Sequence, residues 1–397
     1  MRPLIKVVAV VALLSLLVSS TAPGGRPNAA DARPAAPVEP AAQPESWRFT
    51  SIEEISGDGR PFDADLVVSF AAGFIAVRES TVRFWFSPDG TSWRRAPLDN
   101  LFPGLPGNAY GTYMLAEHDG KAYAFTRERR DGSYPTRPAA FATADGVVWQ
   151  DVSDEFPFHT YTVPPAETGN PLGTAAEIAG ASLDGEWALL YDSLSWARAP
   201  VDGRRTWRSA DAFPFVCSFA NRATTELGHL FLGGCGGNEH TGEQPYGNIV
   251  ALTRTGKLVD LHEDVPLLWG STAASSDGST LIFDAHSFTR SDDGRSWSTP
   301  VRLPIPDEFA GLVVEQAIAV GGGILVFGQA VPRGGTVGLP AVWRTDEGTS
   351  WSFTQLEPYH REGSLRGAAE KDGRVVVLAH GFDHTKGVRT AGVFVNR

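Results

Sequence analysis

Ser87-Pro88-Asp89-Gly90-Thr91-Ser92-Trp93 is a stretch that returns, with small changes, along this 397-residue chain. Self-similarity at intervals of some tens of residues is the mark of a repeat architecture, and it decides the fold before any other feature. We call the five copies the Asp–Gly–Trp motifs. Their defining residues are Asp89, Gly90 and Trp93; Asp145, Gly146 and Trp149; Asp202, Gly203 and Trp207; Asp293, Gly294 and Trp297; and Asp346, Gly348 and Trp351.

Each motif has the chemistry of a tight turn between two β-strands. The Asp carboxylate accepts hydrogen bonds from backbone N–H groups just ahead of it, and the Gly supplies a positive φ. The Trp begins the next strand and lays its ring across the hairpin, which buries a large apolar surface. We therefore expect the motif aspartates to act as structural turn acceptors.

These motifs resemble the Asp-box (BNR) repeats of sialidase-like β-propellers. The resemblance implies a ring of four-stranded blades, with each motif between the third and fourth strands of a blade. The interval from Trp207 to Trp297 is long enough for two repeats, so one motif is missing there. Residues 253–259 are the predicted degenerate copy, because they follow a strand-like segment and still offer a Gly turn.

The two ends of the propeller are predicted to form one blade together. Residues 46–52 resemble the strand that follows a motif, but no motif precedes them, and the chain stops after the strand-like residues 391–395. The N-terminal strand is therefore expected to complete the last blade and leave no open edge between the first and last blades. The prediction is an all-β fold, a single β-propeller of seven four-stranded blades.

The first residues have the pattern of a secretion signal. A basic start is followed by a short apolar run at 7–18 and a small-residue cleavage site at 30–32. The run is short for a membrane span, although an uncleaved anchor is the alternative. We expect a protein secreted by a bacterium or held in its envelope, with no membrane span after cleavage. The predicted domains are residues 1–32 as signal, 33–45 as a Pro/Ala-rich linker and 46–397 as the propeller.

Export makes the two cysteines interpretable. Cys217 and Cys235 fall on what resemble the first two strands of the fourth blade, so we predict a disulfide between them, with two buried free thiols as the alternative. The net charge of −12 disfavours nucleic acid as a partner. No cofactor and no metal are expected, and the protein is expected to be a monomer.

The longer insertions fall on the face opposite the motifs, and insertions gathered on one face of a repeat array usually mark its binding face. Their aromatic and planar cationic side chains suit sugars and peptides alike. We therefore predict binding of a glycan, a cell-wall polymer or an extracellular protein there. The candidate binding residues are Arg127, Arg130, Tyr134, Tyr161, His240, Tyr246, Tyr359 and Arg361.

Other polar groups are weaker candidates. The segment 380–384 (His-Gly-Phe-Asp-His) could offer metal ligands, but a solvated loop is the preferred interpretation. Asp284 and His286 are interpreted as a satisfied polar pair rather than as an acid and the group that orients it. Several carboxylates lie near the ends of second strands, so a pair of carboxyl groups that cleaves a glycoside stays open as an alternative. They are Glu79, Asp192, Glu239 and Asp284.

The resemblance does not extend to a sialidase active site. Catalytic sialidases of that family have three substrate-binding arginines, a Tyr–Glu nucleophile, an Asp proton donor and an Arg-Ile-Pro motif before the first Asp-box, in a six-bladed ring. No such motif occurs between Trp47 and Ser87, and the nearest string, residues 301–304, is on an outer strand. We predict a non-catalytic binding propeller. The alternative is a glycoside hydrolase, a sialidase-like exo-glycosidase with paired carboxylates at the axial pocket.

Overall fold

The computed structural model describes residues 46–51, 62, 64–78, 83–96, 110–128, 138–156, 158, 179–183, 186–191, 194–201, 204–209, 217–235, 246–253, 257–261, 264–266, 272–356, 363–383 and 388–396. The chain divides into two compact units, Met1–Pro37 and Val38–Arg397, and the first lies outside these residues. Apart from a short 3₁₀ turn at Ser153–Glu155, the regular elements of the described part are strands, so the all-β prediction is confirmed. No helix in this part is long and apolar enough to cross a membrane.

Six four-stranded antiparallel sheets are each built from strands that follow one another in the chain. The first three are β2 (Leu66–Phe70), β3 (Gly73–Val77), β4 (Phe84–Ser87) and β5 (Arg94–Arg95); β6 (Tyr110–His118), β7 (Lys121–Glu128), β8 (Pro138–Thr143) and β9 (Gln150–Asp151); and β10 (Ala179–Leu183), β11 (Glu186–Tyr191), β12 (Leu194–Val201) and β13 (Arg204–Ser209). The next three are β14 (Cys217–Thr224), β15 (Gly228–Cys235), β16 (Tyr246–Thr253) and β17 (Leu258–Asp260); β18 (Thr272–Ser276), β19 (Ser279–Phe283), β20 (Ser287–Ser291) and β21 (Val301–Arg302); and β22 (Phe309–Val320), β23 (Gly323–Pro332), β24 (Leu339–Thr345) and β25 (Ser352–Gln355).

A seventh four-stranded sheet joins the two ends of the propeller in the order β1-β28-β27-β26. Its strands are β1 (Trp47–Ser51), β26 (Gly363–Lys371), β27 (Arg374–Asp383) and β28 (Val388–Asn396). β1 runs antiparallel to β28, with Trp47 opposite Asn396 and Ser51 opposite Gly392. Phe49 of β1 packs on Phe394 with ring centroids 5.0 Å apart. The N-terminal strand therefore closes the last sheet, as the sequence predicted.

The sheets form a closed ring. The first strand of each sheet lies beside the first strand of the next, in the order β2, β6, β10, β14, β18, β22 and β26, and β26 lies beside β2 again. The hydrophobic core lies between adjacent sheets: Phe74 and Trp85 of the first sheet pack with Val376 and Leu378 of the last. This arrangement is a β-propeller, in which each sheet buries its faces against its neighbours.

The ring has two different faces. The four Asp–Gly–Trp motifs whose residues are described lie between the third and fourth strands of their sheets, on the same side as the tight turns between first and second strands. We call this side the motif face. The connections between second and third strands, and those between sheets, lie on the opposite side, which we call the loop face. Strand β28 ends on the motif face and β1 starts there, because Trp47 pairs with Asn396.

The predicted degenerate motif also lies on the motif face, between β16 and β17. The backbone N–H of Thr253 donates to the Lys257 carbonyl, and the N–H of Lys257 donates to the Thr253 hydroxyl, both at 2.9 Å. This sheet therefore keeps a closed turn at the position where the Asp–Gly–Trp motif has been lost. Residues 254–256 of the turn lie outside the described residues.

Candidate functional site

Three of the four described motif carboxylates accept hydrogen bonds within their own turns, whereas Asp346 lies 3.9 Å from Nε of Arg344. Asp89 Oδ1 accepts the backbone N–H groups of Thr91 at 2.9 Å and Ser92 at 3.1 Å. The Ser87 hydroxyl accepts the N–H of Gly90 at 2.8 Å. Asp145 and Asp293 each accept the backbone N–H groups of the residues two and three positions further along the chain, at 2.7 to 2.8 Å.

These hydrogen bonds also hold the aspartates in the ionised form. Backbone N–H groups of Ser296 and Arg295 lower the pKa of Asp293 to about 2. Bonds from Val148 and Val147 lower the pKa of Asp145 in the same way. A carboxylate that is held ionised by its own turn is a poor proton donor at neutral pH. The motif face therefore lacks a general acid among these described aspartates.

The motifs also connect neighbouring sheets. Gly146 has φ +74°, and a Cβ built on it would lie 2.1 Å from Cδ2 of Phe86 in the preceding sheet. Gly90 has φ +77°, and its Cβ would lie 2.4 Å from Val376 of the last sheet. Arg374 of that sheet donates to the Asp89 carbonyl at 2.9 Å. The described motif turns are thus structural contacts, which leaves the loop face as the place to look for function.

The inner wall of the ring carries β-bulges at a common level. Counted from the motif-face turn, β6, β22 and β26 each form five residue pairs with the second strand of their sheet and then have one unpaired residue. The unpaired residues are Tyr113 in β6, Glu315 in β22 and Arg366 in β26. β2 has no bulge, but Asp65 lies at the same level, directly before its five pairs, and the Asp65 N–H donates to the Val77 carbonyl at 2.9 Å. Bulges re-aim side chains and are frequent beside functional sites. We call Asp65, Glu315 and Arg366 the bulge row, since their side chains are described and that of Tyr113 is not.

Glu315 lies at the contact between the sixth and seventh sheets. Its Oε2 accepts the backbone N–H of Leu365 on β26 at 2.6 Å, and its Oε1 accepts Nε2 of Gln329 on β23 at 2.8 Å. Burial raises the pKa of Glu315, although these two hydrogen bonds and the charge of Arg366 oppose the shift. Glu315 is therefore a positioned carboxyl group on the inner wall, and it is easier to protonate than a solvated one.

Arg366 follows Leu365 directly and is the exposed member of the bulge row. Its charge acts on the Glu315 carboxyl. It makes no hydrogen bond within the described residues, so its guanidinium group keeps its donors for solvent or a ligand. The pair Glu315–Arg366 thus offers acceptors and donors side by side.

His380 connects the seventh sheet to the first. Its Nε2 lies 2.8 Å from the Ala64 carbonyl, and its Nδ1 lies 3.8 Å from Asp65 Oδ1. Both His380 and Asp65 have about a quarter of their side chains exposed. His380 therefore lies within a strand and contacts the backbone of the neighbouring sheet, whereas the preferred sequence interpretation placed it in a solvated loop. The correction follows from β27, which continues to Asp383.

Asp284 and His286 are satisfied by the backbone. Asp284 Oδ1 accepts the N–H groups of His286 at 2.7 Å and Ser287 at 2.5 Å. Nδ1 of His286 lies 2.7 Å from the Leu312 carbonyl on β22 of the next sheet. The two side chains serve a turn and a sheet-to-sheet contact, which agrees with the polar pair expected from the sequence.

Most of the predicted loop-face residues lie outside the described part of the chain. Arg127 on β7 and Tyr246 at the start of β16 have described backbones near the loop-face ends of their strands. The backbone register also sets Cys217 opposite Cys235, which is compatible with the predicted disulfide. Predicted residues outside the described part are Arg130, Tyr134, Tyr161, His240, Tyr359, Arg361, Glu79, Asp192, Glu239, His384, Asp202 and Gly203; only the backbones of Trp207 and Asp383 are described.

Sequence reasoning missed the bulge row. A bulge depends on how two strands pair, and neither Glu315 nor Arg366 belongs to a motif. The one available signal is length: the apolar-rich stretch that forms β22 is longer than the five residues of β2 or β18. Among the described residues, no group of three or more His, Cys, Asp or Glu side chains could hold a metal ion.

No family model matches this chain, and no curated protein matches its sequence. Similar solved structures include the Neurospora crassa Pan2 WD40 domain, at 7% identity and TM-score 0.49, covering 90% of this chain and 97% of that one. A glycosyl hydrolase from Bacteroides ovatus has 12% identity and TM-score 0.34, covering 72% and 83%. The extracellular domain of a protein described as a one component system from B. thetaiotaomicron has 13% identity and TM-score 0.41, covering 72% and 34%. At these values no function is transferred from any of the three.

Proposed function

We propose that this chain is an exported, non-catalytic β-propeller that binds a glycan, a cell-wall polymer or an extracellular protein through its loop face and the adjoining inner wall. The observation that carries the proposal is the exposed guanidinium of Arg366 beside the positioned carboxyl of Glu315. Convergent polar groups on a concave wall are the usual basis of ligand binding. The signal at residues 1–32 and the Asp-box resemblance belong to the same proposal.

The two faces of the ring differ in a way that supports this assignment. The carboxylates of Asp89, Asp145 and Asp293 are used by their turns, and the described motif glycines pack against neighbouring sheets. On the loop side, the connection between β23 and β24 extends from Arg333 to Gly338 without regular structure. The predicted tyrosines and arginines of the other insertions would extend the binding surface on the loop face.

The test is retention of the purified full chain on an array of glycans and cell-wall polymers. Arg366→Ala should reduce retention at least tenfold while leaving the melting temperature within about 1 °C of the parent, because Arg366 is exposed. Arg295→Ala is the matched control, since Arg295 is exposed on the motif face. Equal retention by both variants would remove the inner wall from the site. A blank array for the parent would exclude glycans and cell-wall polymers and leave protein partners.

Glycoside hydrolysis is a second candidate because of Glu315. A carboxyl group whose pKa is raised by burial is the type of group that donates a proton to a leaving sugar. A second carboxyl group would have to lie about 5 to 9.5 Å away, and Asp65 occupies the same level two sheets further around the ring. Release of reducing sugar that Glu315→Gln abolishes would establish hydrolysis. No release from any glycan that the protein binds would exclude it.

A further inference from the structure

We infer that the ligand of the inner wall is an uncharged saccharide whose two neighbouring hydroxyl groups are held between Glu315 and Arg366. The inference rests on the proposed function, and it adds the chemical class that this site selects. It concerns a carboxylate and a guanidinium on facing bulges of adjacent sheets.

The acceptor side of the site is fixed in place. Each oxygen of Glu315 accepts one hydrogen bond, from Leu365 N–H and Gln329 Nε2. An ionised carboxylate has about four lone-pair positions, so acceptor capacity remains after these two bonds. Because both oxygens are already anchored, a ligand hydroxyl would bind without ordering the side chain first.

The donor side is free and adjacent. Arg366 carries five N–H donors, is exposed and makes no hydrogen bond within the described part of the chain. A hydroxyl group both donates and accepts. One hydroxyl of a vicinal pair can therefore donate to Glu315 while its neighbour accepts from Arg366.

The charge arrangement selects against ions. An anionic sugar drawn to Arg366 would lie against the Glu315 carboxylate, and the whole chain carries a net charge of −12. A cationic amine drawn to Glu315 would meet Arg366. An uncharged hydroxyl-rich ligand satisfies both groups without placing like charges together.

An apolar group completes the site. Val313 precedes Glu315 by two residues on β22 and is 41% exposed, which is unusual for a large apolar side chain on an inner strand. It pairs across the sheet with Gln329, the residue that anchors Glu315. A sugar ring has a C–H face as well as hydroxyl groups, so Val313 can contact that face.

The experiment compares neutral, sialylated, uronic-acid-containing, sulfated and amino glycans for binding to the full chain. We expect neutral glycans to bind and charged ones to be rejected. Glu315→Gln should weaken neutral binding about tenfold or more, which corresponds to about 1.4 kcal/mol, because the carboxylate acceptor is lost. The matched control is Glu226→Gln, because Glu226 is exposed in the β14–β15 turn on the motif face. Arg366→Met tests the donor side at an exposed position if Glu315→Gln fails to fold.

Two results would overturn the inference. One is a parent protein that prefers anionic or cationic glycans, and the other is neutral binding that neither Glu315→Gln nor Arg366→Met weakens. Both differ from failure of the proposed function, in which the parent protein binds no glycan, polymer or protein partner. A gain of anionic-glycan binding by Glu315→Gln, with Glu226→Gln unchanged, would support the charge argument directly.

Discussion

Replacing Gly146 by Ala tests whether the motif turns hold the ring together. Gly146 is buried in the second sheet with φ +74°, and a new Cβ would lie 2.1 Å from Cδ2 and 2.7 Å from Cγ of Phe86. Phe86 is only 5% exposed, and its Cγ and Cδ2 atoms lie too close to the backbone to move away from the new Cβ. Gly278 is the matched control, because it has φ +81° with nothing within 4 Å of a new Cβ.

The expected cost follows from these two positions. A left-handed conformation costs an L-residue roughly 1 to 2 kcal/mol, and both variants incur this cost. Overpacking adds typically about 1 to 3 kcal/mol, and only Gly146→Ala incurs it. The free energy of unfolding should therefore fall by about 2 to 5 kcal/mol for Gly146→Ala and about 1 to 2 kcal/mol for Gly278→Ala.

Urea unfolding followed by tryptophan fluorescence measures both values. The comparison of the two variants removes the shared backbone term and leaves the contact between sheets. Equal losses of stability would show that the Gly146–Phe86 contact relaxes at no cost, and the view of the motif as a contact between sheets would then be wrong.

Three further predictions concern the motifs and the cysteines. Because the folded pKa of Asp293 lies near 2, below its ordinary 3.8, Asp293 stabilises the fold above about pH 4 and this stability is lost as the pH falls towards 2; Asp293→Asn should flatten acid unfolding over that window in circular dichroism, and an unchanged profile would contradict the assignment. Thr143→Val should cost about 1 to 3 kcal/mol in urea unfolding, because the buried N–H of Gly146 loses the hydroxyl that accepts it at 2.9 Å; a cost near zero would mean that the N–H finds another acceptor. Cys217 and Cys235 should resist alkylation until reduction, as measured by intact mass, and reduction should lower stability by about 3 kcal/mol; alkylation of the folded, unreduced chain would exclude the disulfide.

The turns and the closure of the ring could be predicted from the sequence because they depend on local chemistry. Asp89 and Gly90 specify a turn within a few residues, and their repetition fixes the third-to-fourth strand position in the sheets. The pairing of β1 with β28 followed from counting, since a strand without a preceding motif at one end matched a last blade without its fourth strand at the other. Both inferences need no knowledge of how strands align across a sheet.

The bulge row could not be predicted because it depends on alignment. Glu315 is the unpaired residue of the bulge in β22, and it accepts an N–H on β26, fifty residues further along the chain. Likewise, His380 contacts the Ala64 carbonyl across the seam between the last and first sheets. A single sequence records neither the register nor the neighbour, so composition directed attention to loop tyrosines and arginines instead.

The pairing of Trp47 with Asn396 determines how the molecule can be displayed. Both ends of the ring emerge side by side on the motif face, so a tether or tag joined before residue 46 or after residue 396 leaves from that face. A support reached through either end would carry the ring with its loop face directed outward, accessible to large polymers. Immobilisation through either end should therefore give the same binding capacity, whereas random coupling through surface amines would block a fraction of the molecules.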